Sequence, residues 1–159
     1  MTQPDGLPLV ESVEELLQMV ELDDIIYYGV TAVRREQPGG PEDPTESTQL
    51  FVLHEGVRLE VRCRVVVETL DATYQVDVAS RFELQHPVEI TEDVRQLFVE
   101  KVGLMAVYPY VRETITESAA KLRLGQPLMK LLRSGQVNIT PLPPSEDQAP
   151  AQPETALPS

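Results

Sequence analysis

The sequence predicts an α+β fold. It has a four-stranded antiparallel sheet, with an N-terminal helix and a long C-terminal helix packed on one face, and it ends in a disordered, acidic, proline-rich tail. Three observations carry this reading. Residues 57–85 contain two runs of apolar–polar alternation joined by a short turn; beyond residue 91 the spacing becomes helical; and six of the 14 prolines crowd into residues 141–159.

Taken in order, residues 1–9 read as a flexible N-terminus. Ser12 is a helix N-cap, with Glu15 three residues on as its capping-box partner. Val13, Leu16, Leu17 and Val20 share a face at helical spacing. From Ile25 to Arg35 the residues turn β-branched and aromatic, which indicates a strand. Residues 36–49, with Pro38-Gly39-Gly40-Pro41 and Pro44, read as a long crossover loop before a short strand at 50–54.

Residues 57–68 give the clearest strand. Val57, Leu59, Val61, Cys63, Val65 and Val67 alternate with Arg58, Glu60, Arg62, Arg64 and Glu68, so one face is buried and the other wet. Leu70-Asp71-Ala72 turns the chain, and 73–85 alternate again as the second arm of an antiparallel hairpin.

Thr91 then caps a short helix, with Glu92 and Asp93 in its first turn where the dipole favours acids. Its stripe of Val94, Leu97, Phe98 and Val102 stops near Gly103. A second helix carries Tyr108, Val111, Ile115, Ala119 and Leu122 on one face and ends at Gly125-Gln126-Pro127. Pro109 is expected in its first turn, because an interior proline costs about 3 kcal/mol. The ordered domain is thus 10–138, and 139–159 form the tail.

Composition narrows the function. A net charge of −13 argues against a nucleic-acid binder and against docking on anionic lipid. Residues 1–24, 36–49 and 141–159 carry fourteen acids and no base, leaving the remaining body near +1. No apolar run approaches the roughly 20 residues that span a bilayer, and the N-terminus lacks the pattern of a secretory signal. The expectation is a cytoplasmic protein without membrane insertion.

Chemistry-bearing motifs are few. There is no phosphate loop, no nucleophile elbow and no zinc-protease pattern. His54 and His86 are isolated at strand ends, and Cys63 is a small core residue. Glu113 and Glu117 are solvated helix carboxylates, and Arg58, Arg62 and Arg64 suit cross-strand pairing. No catalytic residue, metal site or cofactor is expected, so the chain does not read as an enzyme.

One segment is more specific. Tyr108-Pro109-Tyr110-Val111-Arg112-Glu113 resembles the signature that opens the long helix of SecB, the bacterial export chaperone. It is closer still to SecB-like chaperones attached to toxin–antitoxin systems. Leu124-Gly125-Gln126-Pro127-Leu128 also resembles the family's helix break and Pro-Leu segment. The four strands with a long first crossover fit as well. The chain departs from the family at its C-terminus, where a proline-rich tail stands in place of a further helix.

The resemblance implies an ATP-independent holdase. Such a chaperone binds unfolded or precursor polypeptides in hydrophobic grooves, for protein export or to protect an antitoxin. It implies a homotetramer, a dimer of dimers, with either the SecA motor or an antitoxin as partner. The assembly helix would then run through Tyr108, Val111, Ile115, Ala119 and Leu122. Candidates for the client groove are Phe51, Leu53, Leu97, Phe98, Leu104 and Met105. For each of these, filling the core is the competing role. The alternative function is a small-molecule or lipid carrier, which needs a cavity of roughly 300–1,000 Å³.

Overall fold

The computed structural model describes residues 6–127, residue 129 and, for the backbone alone, residues 138–141. Strand β1 (Leu9–Val10) leads into helix α1 (Val13–Met19), and Ser12 Oγ accepts from Glu15 N–H at 3.2 Å as its cap. Four long strands follow: β2 (Val20–Arg34), β3 (Thr45–Glu55), β4 (Arg58–Glu68) and β5 (Ala72–Leu84). Then come β6 (Glu89–Ile90), which pairs with β1, and helix α2 (Glu92–Phe98). Thr91 caps α2 by accepting from Val94 N–H. A π-helical turn, Val99–Gly103, joins α2 to helix α3 (Leu104–Lys121).

The main sheet has the order β2-β5-β4-β3, antiparallel throughout, extended at the β3 edge by β7 (Asn138–Pro141). The helices lie on one face of it, as the sequence predicts. On that inner face Leu50, Leu59, Val61, Cys63, Val65, Tyr74, Val76 and Val78 meet Val107, Val111, Ile115 and Ala119 of α3.

Several boundaries differ from expectation, each for a physical reason. β2 begins at Val20 rather than Ile25. It is an edge strand bent by irregularities between Leu22 and Asp24 and between Tyr27 and Gly29, so its acidic first half can pair and remain exposed. β3 begins at Thr45, so the crossover is shorter than 36–49. The polar residues Thr45, Ser47 and Gln49 hid this strand because they point outward and stay exposed. The crossover is also pinned: Arg35 donates to Thr69 O and Thr73 Oγ1. Gly40 lies so close that an added Cβ would sit 1.9 Å from Thr69 O.

Pro109 lies inside α3, not in its first turn. Its exposed position leaves the carbonyl it orphans on the solvent side of the helix, where the loss is cheapest. Nor does Gly103 stop a helix. It lets the π-turn press onto the sheet, since a Cβ there would come within 2.4 Å of Val61 Cγ2. Buried Ser80 donates to Gly103 O at 3.1 Å, satisfying a carbonyl at the distorted turn. The tail expected from residue 139 lies outside the described residues, except for the strand Asn138–Pro141.

Candidate functional site

The six groove candidates divide three ways. Phe98 is 0 % exposed and packs edge-to-face on Phe82, ring centroids 5.0 Å apart. Leu104 is buried too. These two are core residues, because α2 and the start of α3 turn them toward the sheet. Leu97 and Met105, on the same elements, face outward, and Met105 is 58 % exposed. Phe51 and Leu53 are half-buried on the outer face of β3, with Arg64 stacked 5.4 Å from the Phe51 ring. The sheet therefore separates Phe51 and Leu53 from Leu97 and Met105 within one chain.

The signature helix splits by face as its spacing requires. Tyr108, Val111, Ile115 and Ala119 are buried against the sheet, and Leu122 is partly buried. Pro109, Tyr110, Arg112 and Glu113 are exposed. Tyr108 Oη donates to Glu46 Oε1 at 3.1 Å, so one acid of the predicted crossover is held by a buried tyrosine of α3. Burial first, and then the Glu46 carboxylate, push the Tyr108 hydroxyl's pKa well above its ordinary value.

β2 holds apolar surface that the groove candidates missed. Leu22, Tyr27, Tyr28, Val30 and Val33 are all exposed, Val30 by 49 %. Leu22, Tyr27 and Val30 face the helix side, registered with Phe82, Val78 and Val76 of β5. There Tyr27 Oη lies 3.1 Å from Thr114 Oγ1, and Arg34 donates to Leu122 O at 2.9 Å, a cation at the end of α3. The signal was in the sequence. A strand with apolar residues at both alternating and intervening positions has no polar face to leave in water.

The outer face of the sheet centres on charge. Arg62 binds Asp77 through two bonds of 2.7 and 2.8 Å, and Arg64 reaches the same carboxylate at 3.0 Å. Arg81 bonds Glu60, which also accepts from Tyr28 Oη, and Arg62 stacks 4.0 Å from the Tyr28 ring. Burial pushes the Asp77 carboxyl up, but the two guanidiniums outweigh it and hold its pKa below the usual carboxylate range. Arg62, Arg64 and Arg81 thus serve cross-strand pairing, whereas Arg58 forms no ion pair among the described residues.

Of the histidines, His86 is exposed. His54 is half-buried, its pKa lowered by burial and by the nearby Arg95 charge. Among the described residues, no three His, Cys, Asp or Glu converge as a metal ion would need. A cavity among Asp23, Val57, Arg58, Arg81, Phe82 and Glu83 holds about 160 Å³. This is below the size of a carrier pocket. No helix among the described residues is long and apolar enough to cross a membrane.

Comparison with known proteins places this architecture. No family model matches the chain. The SecB-like chaperone SmegB of Mycolicibacterium smegmatis is 37% identical over 140 residues, covering 88% of this chain and 94% of the relative. The chain belongs to the SecB-like chaperones. Among solved structures, it is similar to a SecB-like chaperone of Mycobacterium tuberculosis held in complex with a ChAD peptide from the HigA1 antitoxin. That likeness has a TM-score of 0.62 at 20% identity and covers 76% of this chain and 95% of the other, so it shows the shared fold.

Proposed function

We propose that the chain is an ATP-independent holdase of the cytoplasm that binds unfolded polypeptide, with an antitoxin as its dedicated client, and catalyses no covalent chemistry. The observation that carries this reading is the 37% identity to a SecB-like chaperone along nearly the whole chain. The antitoxin peptide bound by the structural neighbour favours that client over export precursors. The exposed apolar side chains of β2, α2 and α3 supply the adaptable surface a holdase needs.

The working form in this reading is a homo-oligomer, a dimer of dimers. The outer edge of β2 has no strand partner among the described residues, and apolar residues flank it on both faces. A second copy would cover both. Light scattering on the purified protein tests this, and a clean monomer at micromolar concentration would refute it.

Function is tested by heating an unrelated client with the chaperone and no ATP. Suppression of aggregation near stoichiometric amounts is expected, and none at tenfold excess would overturn the holdase reading. Leu97→Ser with Met105→Ser, and separately Phe51→Ser with Leu53→Ser, should each weaken suppression while leaving the oligomer intact. Phe98 is left out because it is buried in the core, where its loss would lower stability rather than remove client-binding surface.

A further inference from the structure

The second edge of the sheet already holds an extended peptide, and that peptide is the chain's own. β7 lies parallel on β3 in the register Gln49–Asn138, Leu50–Ile139, Phe51–Thr140 and Val52–Pro141. It spans four residues against the eleven of β3. Thr45–Thr48 and Leu53–Glu55 have no strand partner on that side among the described residues.

Everything about this pairing makes it weak. Parallel ladders are slightly less stable per residue than antiparallel ones. The strand is short for an edge that long, and its last residue, Pro141, has no N–H to donate. Beside it Phe51 and Leu53 are half-exposed on the outer face. Such an edge offers main-chain hydrogen bonds to any sequence, with apolar side chains alongside. These are the elements of recognition by strand addition.

We propose that β7 is an internal stand-in for client. An extended segment of unfolded polypeptide adds to β3 in place of Asn138–Pro141, and the C-terminal strand competes with it. This rests on the holdase reading and names where that activity is read out. A client strand long enough to pair along most of β3 gains more ladder than β7 gives up. A folded protein, whose strands are already paired, gains nothing. A tethered competitor lowers the apparent affinity by the fraction of time the edge is open. The edge thus stays covered until a long extended segment arrives.

The test uses full-length protein and a permanently unfolded probe, reduced and carboxymethylated α-lactalbumin, without ATP. Ile139→Pro with Thr140→Pro removes two of the three backbone N–H groups of β7 and should tighten the probe's Kd about three- to tenfold. Pro141→Val strengthens the strand and should weaken it about threefold. Hydrogen exchange at Gln49–Val52 should speed up in the proline pair and slow again when probe is added. Unchanged Kd in both variants with probe still bound, or probe binding without protection of these amides, overturns the proposal. If the wild-type chain and both variants bind no probe, yet the proline pair still speeds exchange on β3, then β7 covers the edge, the holdase reading fails, and competition with client is overturned.

Discussion

The two faces of the sheet are both closed, but by different physics. On the inner face, α3 and the π-turn close over apolar side chains, with Gly103 against Val61 and Phe98 against Phe82. On the outer face the centre is closed by ion pairs. Asp77 is only 6 % exposed, beneath Arg62 and Arg64, and Ala79 is buried opposite Arg62, where a small residue leaves room for the guanidinium. The inner face depends on shape, where a single atom too many or too few is felt. The outer face depends on charge, and its contribution varies with pH.

Substitutions should separate the two. The largest effect is expected from Phe98→Ala on the inner face, about 3–5 kcal/mol of stability by urea unfolding. Gly103→Ala should follow at about 2–3 kcal/mol, because the new methyl must displace Val61 or lift the π-turn. If it costs nothing, the close approach is not structural. Neither inner-face effect should depend on pH.

Asp77→Asn should cost about 2 kcal/mol at neutral pH, reduced from a fully buried pair because Arg64 is partly exposed. Its pH dependence is the sharper test. The folded-state pKa of Asp77 lies below the ordinary 3.8. The unfolded chain therefore takes up this proton first as pH falls. The stabilisation is complete above the unfolded pKa and is lost as pH drops through the folded one. The gap between wild type and Asp77→Asn should shrink in acid below about pH 4; a constant gap would refute the ion-pair account. The smallest effect, about 1 kcal/mol, is expected from Tyr28→Phe, which removes one hydrogen bond to Glu60.

The same contrast explains what the sequence made legible. β4 and β5 alternate, apart from Val66, Ala79 and Ser80, because they are central and covered on one face by helices, so periodicity revealed them. The caps at Ser12 and Thr91 were readable because they depend on local backbone chemistry. β3 was half-hidden, since the outward residues of an edge strand face little selection for β character. Pro109 and Gly103 misled because their usual roles are helix stops, and only the approach to Val61 and the exposed side of α3 reverse that reading. The polar outer face looked wet because alternation reports polarity, not burial, and cannot show that Arg62 and Arg64 converge on one carboxylate. At the candidate site, sequence named exposed and core apolar residues alike. On α2 and α3, outward Leu97 and Met105 adjoin inward Phe98 and Leu104, and spacing alone did not sort them. The exposed apolar run of β2 was visible as a strand but not recognised as a surface.

The single cysteine has a use of its own. Cys63 sits at the middle of β4, fully buried, and burial followed by the nearby Asp77 and Glu46 charges push its thiol up to about 12. In the native state it is neither accessible nor ionised, so a maleimide in solution finds nothing to attack. Each alkylation event therefore dates one opening of the central hairpin. With a client that lacks cysteine, the reaction becomes a clock that counts the chaperone's own unfolding separately from the unfolding of what it holds.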